Sequence, residues 1–152
     1  MEARCRNHPE SRLCPASREF PAADSGLKEV TMTYTILPLT EDPWQIFTMD
    51  LSINNEPFHA QVEIRYLPAP DQWYLTIRDH SSGELLVNGV PVVCSYFRVN
   101  DLLGPFRHLR NGKGLGSLFC MCAADAPGST DPSEGNLTQF RILWGDTFDS
   151  PP

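Results

Sequence analysis

The amino-acid sequence predicts an all-β domain, a small antiparallel barrel or sandwich of about seven short strands with at most a short helical turn. Two observations predict this fold class. Several segments alternate strictly between apolar and polar residues, which is the period of a strand with one buried and one exposed face. In addition, 14 prolines and 10 glycines among 152 residues favour frequent turns between short elements. The sequence contains no long amphipathic helical pattern.

The length allows one ordinary domain, and the charge distribution indicates where it begins. Residues 1–31 hold five basic and five acidic side chains, whereas residues 32–152 hold seven basic and fourteen acidic ones and so carry the whole net charge of −7. Residues 1–31 also lack hydrophobic periodicity, so we expect a disordered extension, with Met32 as an alternative natural start. We expect one β-domain at residues 32–148 and a frayed end at 149–152.

Three consecutive segments after a short β-like stretch at residues 33–39 show the clearest strand pattern. Asn54 and Asn55 are typical of a hairpin turn between the first two, and a proline-containing turn at residues 68–71 separates the third. All three strands should therefore pair antiparallel. Their predicted inward-facing residues are Phe47, Met49, Leu51 and Ile53 in the first strand, Phe58, Ala60, Val62, Ile64 and Tyr66 in the second, and Trp73, Leu75 and Ile77 in the third.

The later elements are predicted from turn residues. The pair Asn88–Gly89 predicts a second hairpin, between strands at residues 84–87 and 90–94. A short helical turn is expected near residues 100–103, ended by Gly104 and Pro105. Glycines at 112, 114 and 116 predict a mobile loop, and the last two strands are predicted at residues 117–123 and 138–144.

The candidate catalytic and metal-binding groups lack the context that their chemistry requires. The motifs GxSxG and HExxH are absent, and His59, His80 and His108 have no recognisable nucleophile beside them. Cys120 and Cys122 share one face of a strand without a companion CxxC motif. The sequence therefore predicts no catalytic residue, no cofactor and no metal, and a small hydrolase stays only as an alternative that a pocket joining a histidine to a nucleophile would reveal.

The cellular environment follows from two further features. Five cysteines without an apolar leader-like segment favour reducing surroundings. No apolar run approaches the roughly 20 residues of a membrane-spanning helix, so no membrane contact is expected.

A local basic and aromatic cluster leaves nucleic-acid binding open as an alternative function. Small β-barrels bind single strands on such faces, so the alternative is a small β-barrel single-stranded nucleic-acid binding module. The net charge of −7 argues against a broad surface for phosphates, and no specific nucleic-acid binding is expected. The cluster consists of Arg98, Arg107, Arg110 and Lys113 with Tyr96, Phe97 and Phe106.

Five short motifs occur in the order found in a known family. They are a proline-containing start (ILPL), the strand WYLTIRD, the segment GELLVNGVPVV, the segment DLLGPFRHL and the strand GSLF. In these motifs, residues 34 to about 146 resemble the small baseplate plug proteins of contractile-tailed phages and related prophages. The likeness is carried by Trp73, Tyr74, Asp79, Gly83, Leu85, Leu86, Gly89, Pro91, Asp101, Leu102, Leu103, Pro105, Phe106, Gly116, Leu118 and Phe119.

The resemblance implies a structural component of the virion and not an enzyme. Such a protein would plug or line the distal end of the tail tube and dock to hub proteins, with other baseplate proteins (hub, tube, spike) as partners. We expect several copies in a symmetric assembly, located in the tail baseplate and, during assembly, in the host cytoplasm.

The predicted docking surface is the segment from Asp101 to Leu109, taken together with Arg110 directly after it as residues 101–110. Apolar residues are crowded there without a clear strand or helix pattern, beside cations that contribute strongly to protein interfaces. The alternative interpretation is that the apolar members cover the core from outside. The predicted interface residues are Leu102, Leu103, Pro105, Phe106, Arg107, His108 and Arg110.

Overall fold

Residues 32–95, 98–122 and 131–148 are described in the computed structural model. They form two antiparallel sheets of four and three strands, without a closed barrel among these residues, so the sandwich is the correct one of the two predicted architectures. No helix in the described ranges has the length and apolar character needed to cross a bilayer. The expectations for residues 1–31 and 149–152, for Tyr96 and Phe97, and for the loop around 123–130 lie outside the described residues.

Seven strands and two short 3₁₀ helices make up the described structure. The strands are β1 (Tyr34–Ile36), β2 (Trp44–Ile53), β3 (Glu56–Leu67), β4 (Gln72–Asp79), β5 (Leu85–Pro91), β6 (Ser117–Cys122) and β7 (Phe140–Gly145). The 3₁₀ helices are Gly104–Phe106 and Leu137–Gln139.

The four-stranded sheet is a meander in the order β2-β3-β4-β5. Asn54 and Asn55 have φ angles of 52° and 64°, which a two-residue type I′ turn requires, and Ile53 pairs with Glu56 across the turn. The predicted hairpin is confirmed, and so is its antiparallel continuation into β4.

The Asn88–Gly89 pair lies inside β5, so the prediction of two separate strands joined by a hairpin is wrong. β5 pairs with β4 on both sides of the dipeptide, with shifts of register beside it. Gly89 has a φ of 67° and donates its N–H to Thr76 Oγ1 at 3.2 Å. A β-bulge accepts a glycine with positive φ as readily as a type I′ turn does, so the dipeptide specifies a local conformation here without a chain reversal.

The three-stranded sheet has the order β1-β7-β6, and Tyr34 at the start of β1 pairs with Gly145 at the end of β7. The backbones approach closely at this point. A Cβ atom on Gly116, which has a φ of 74°, would lie 1.9 Å from the carbonyl oxygen of Gly145. Glycine at position 116 is therefore required both for its conformation and for the space.

The helical turn and the glycine loop differ from their predictions. The 3₁₀ helix begins at Gly104 instead of ending there, because Pro105 occupies its first turn, where no N–H donor is needed. Residues 114–116 are buried, and Trp144 Nε1 donates to the carbonyl oxygen of Leu115 at 2.6 Å. This part of the glycine segment thus belongs to the core and does not form a projecting loop.

One hydrophobic core lies between the inner faces of the two sheets. All the inward-facing residues predicted for β3 and β4 are buried, while those of β2 are buried or half-buried, so the predicted faces are confirmed. Trp144 of β7 packs edge-to-face against Phe58 of β3, with ring centroids 5.9 Å apart. Such a pair contributes about 0.5–1.5 kcal/mol beyond its buried area and joins the two sheets.

Candidate docking surfaces

Asp101 anchors the predicted docking segment to the three-stranded sheet. Its Oδ1 accepts the N–H groups of Leu103 and Leu118, each at 3.0 Å, and its Oδ2 accepts the Ser117 hydroxyl at 2.8 Å. The Asp101 side chain is only 13% exposed, and Arg107 Nη2 lies 3.6 Å from Oδ2. Hydrogen bonds to a charged group in such a site contribute about 1.5–3 kcal/mol. The start of the segment is therefore fixed to β6.

The two arginines of the segment are also held by the protein itself. Arg107 Nη2 donates to the carbonyl oxygen of Phe148 at 2.7 Å. Arg110 places its guanidinium 4.3 Å from the ring centroid of Phe58 and donates to the Gly114 carbonyl oxygen at 3.3 Å. These contacts join the segment to residues on both sides of it and restrict its conformation.

The seven predicted interface residues divide by exposure. The burial of the two leucines agrees with the alternative interpretation for those residues, in which they cover the core. The exposed remainder is a short ridge on the 3₁₀ turn. Leu102 and Leu103 are buried, Phe106 and Arg110 are half-buried, and Pro105, Arg107 and His108 are exposed.

Most cations of the basic cluster considered for nucleic-acid binding already contact other groups of the protein. Besides Arg107 and Arg110, Lys113 is paired through its Nζ with Glu56 Oε2 at 3.1 Å. Arg98 is exposed, and the flanking aromatic residues 96 and 97 lie outside the described residues. The described part of the cluster does not form a continuous basic stripe for a phosphate backbone.

An apolar groove of about 270 Å³ lies on the outer side of the three-stranded sheet. Met32, Tyr34, Phe119, Met121 and Phe148 contribute to its lining. Burial, followed by the charges of nearby carboxylates, raises the pKa of the Tyr34 hydroxyl. The groove offers an apolar contact surface with one hydroxyl.

The structure brings together two of the three histidines that the sequence singled out. His59 contacts the carboxylate of Asp50, and its ring packs edge-on against His80 at 4.5 Å between centroids. His108 instead follows the 3₁₀ helix Gly104–Phe106. Neither histidine of the pair is held in an enclosed site, since His59 is half-buried and His80 is exposed.

The cysteines of the described structure gather around β6. Cys94 and Cys120 form an isolated parallel bridge, and burial raises the pKa of both thiols. Both are therefore protonated near neutral pH. The described residues contain no group of three or more His, Cys, Asp or Glu side chains that could hold a metal ion.

Sequence reasoning missed the anchoring role of two aspartates, Asp101 and Asp71. The Tyr66 hydroxyl donates to Asp71 Oδ1 at 2.6 Å, and this bond raises the pKa of Tyr66 to about 12. Asp71 also accepts the N–H of Glu134 at 3.4 Å and so joins the β3–β4 turn to the loop before β7. The sequence could indicate that each aspartate lies in a turn, because aspartate is typical of turns. It could not indicate the distant group to which each carboxylate is hydrogen-bonded.

Comparison with known proteins agrees with a structural role. Residues 33–147 match the family model described as cyanophage baseplate Pam3 plug gp18. No curated protein matches the sequence significantly. The protein is a β-sandwich with anchored surface segments. Together with this match, the fold defines a structural component of a phage baseplate. Because the match covers most of the chain, the protein belongs to the baseplate plug family, and the resemblance seen in its motifs is confirmed.

Proposed function

We propose that this protein plugs or lines the distal end of the tail tube and docks to the hub proteins there. The single observation that carries the proposal is the match to the baseplate plug family over residues 33–147. Hub, tube and spike proteins are the proposed partners, and several copies take part in a symmetric assembly. The chain passes through the host cytoplasm during assembly.

The proposed mechanism is mechanical. A plug is held by many modest contacts that keep it in place during storage, and it is displaced when the sheath contracts. The anchoring of the segment at residues 101–110 supports this role, because a pre-formed surface loses less conformational entropy on docking. Pro105, Arg107 and His108 are its exposed members.

The test uses purified tail particles from the phage or prophage that encodes the chain. We expect the wild-type chain in these particles, with cross-links from residues 101–110 to a hub protein. Its absence from purified tails would overturn the proposed function.

A paired variant tests the docking segment separately. Pro105→Ser with His108→Asp changes two exposed side chains that make no hydrogen bond or ion pair with the described residues, and we expect less of this variant in the particles. The matched control is Pro68→Ser with His80→Asp, which makes the same chemical changes at exposed positions in the two turns that flank β4. Equal incorporation of both variants would remove the segment from the interface.

A further inference from the structure

The outward-facing side chains of the four-stranded sheet lie in rows that its register fixes. Trp44, Arg65 and Tyr74 are direct neighbours on β2, β3 and β4. Glu63 and Thr76 form the next row on β3 and β4, and Arg78 belongs to the row after that. Two arginines therefore stand on either side of a row that contains a single carboxylate.

A depression of about 440 Å³ lies on this face, along β4. Tyr74, Thr76 and Arg78 contribute from β4, and Arg65 contributes from β3. The bulge in β5 forms the opposite side, where Gly89 has no side chain and a Cβ atom there would meet nothing within 4 Å. The site is open to a chain that lies along the strand direction.

The two positive charges in the depression, on Arg65 and Arg78, lack partners among the residues that the structure describes. The side chains of Arg65 and Arg78 make neither an ion pair nor a hydrogen bond with any described residue, in contrast to Arg110 and Lys113. Arg65 is exposed and Arg78 is half-buried. A planar guanidinium binds a carboxylate through two parallel hydrogen bonds, so two unpaired ones favour an acidic ligand.

Exposed apolar residues border the same face. Trp44 is 64% exposed and Ile46 is 50% exposed, although both are large hydrophobic side chains. Trp44 Nε1 donates to Glu63 Oε1 at 2.9 Å, which fixes the ring and occupies one oxygen of that carboxylate. Tryptophan, tyrosine and arginine are the residue types that contribute most to protein interfaces.

We propose that this depression binds an extended acidic segment of another baseplate protein. Arg65 and Arg78 are offset by one strand and by four residues along it, which corresponds to about 13 Å along the strand. In an extended peptide, side chains at positions i and i+4 face the same side over this length. The bound segment therefore carries carboxylates four residues apart. That the segment belongs to another baseplate protein rests on the proposed function.

A nucleic acid fits the same face less well. A phosphate backbone carries a charge at every nucleotide, whereas Glu63 stands between the two arginines and the protein has a net charge of −7. A peptide places its charges only where its sequence has acidic residues.

The first test is charge reversal within tail particles. Arg65→Glu with Arg78→Glu should lower incorporation at least about tenfold, because two attractive contacts become repulsive. The control, Arg98→Glu with Arg141→Glu, makes the same change of charge at exposed positions elsewhere. Circular dichroism and urea unfolding establish that both variants fold. Equal incorporation of variant and control overturns the inference alone, whereas absence of the wild-type chain overturns the proposed function and this inference with it.

The second test identifies the occupant. A photo-crosslinking p-benzoylphenylalanine in place of Asn88, which lines the depression, should link to a peptide of another baseplate protein with two acidic residues four apart. A cross-link to a second copy of this chain overturns the proposal. Binding of a fluorescent poly-thymidine strand that is lost in the Arg65→Glu, Arg78→Glu variant would assign the face to nucleic acid and overturn it as well.

Discussion

The two sheets of this domain are built in different ways. In the four-stranded sheet, each strand pairs with its neighbour in the sequence, from β2 through β5. In the three-stranded sheet, β1 and β7 pair although Tyr34 and Gly145 are more than a hundred residues apart. In this sheet, only β6 and β7 are consecutive in the sequence. The stability of the sheet therefore depends on contacts between residues that are far apart along the chain.

This difference separates local from distant sources of stability. The turns of the four-stranded sheet are determined by residues within them, such as Asn54 and Asn55. The three-stranded sheet depends on close backbone approach at Gly116 and on the carboxylate of Asp101. Substitutions at buried distant contacts should therefore cost more than comparable substitutions in local turns.

The largest effect is expected for Gly116→Ala. The new Cβ would lie 1.9 Å from a backbone oxygen in a residue with positive φ, so the free energy of unfolding should fall by about 4 kcal/mol or more. Gly112→Ala is the control, because its φ is 83° but its Cβ would meet nothing within 4 Å, and we expect about 1 kcal/mol. Urea unfolding measures both, and equal losses would show that close approach is not the determining factor.

A smaller effect is expected for Asp101→Ala. It leaves the N–H groups of Leu103 and Leu118 without their acceptor and should cost about 2–3 kcal/mol. In the four-stranded sheet, the Asp79 carboxylate accepts, among the described residues, just the local N–H groups of Ser81 and Ser82 in an exposed turn. Asp79→Ala should therefore cost about 1 kcal/mol or less. Thermal and urea unfolding of the two variants would contradict the comparison if Asp79→Ala were the more costly.

The Tyr66–Asp71 bond predicts a modest dependence of stability on alkaline pH. The folded-state pKa of Tyr66 is raised from 10.0 to about 12, chiefly by this hydrogen bond. Its contribution is therefore fully present below pH 10.0 and is lost as the pH rises through about 12. Tyr66→Phe should lack this part of the alkaline loss in urea unfolding at stepped pH, and an unchanged pH profile would contradict the assignment.

The smallest effect is expected for Lys113→Ala. Lys113 and Glu56 are both about half exposed, and exposed ion pairs contribute little because water and salt screen them. The free energy of unfolding should change by no more than about 0.5 kcal/mol. A larger loss in the same assay would show that this distant contact fixes the glycine segment.

The local sheet was predictable from the sequence and the distant one only in part. Alternation identified the buried faces of β2, β3 and β4, because a period of two residues needs no knowledge of the partner strand. The error at Asn88–Gly89 arose because a positive φ serves a bulge as well as a turn.

The candidate surfaces were less predictable. The segment at residues 101–110 is conspicuous in sequence, but the burial of Leu102 and Leu103 depends on β6 and on Asp101. The depression between Arg65 and Arg78 requires the register of three strands, which no single segment specifies.

The pairing of Tyr34 with Gly145 has a consequence for how the domain bears tension. The chain enters β1 and leaves β7 at the same end of an antiparallel pair. A pulling force applied at these two residues would load the hydrogen bonds between β1 and β7 one after another, which is the unzipping geometry. In the shear geometry, all these bonds would be loaded at once. Under a pull at these two residues, the domain should therefore yield first at β1.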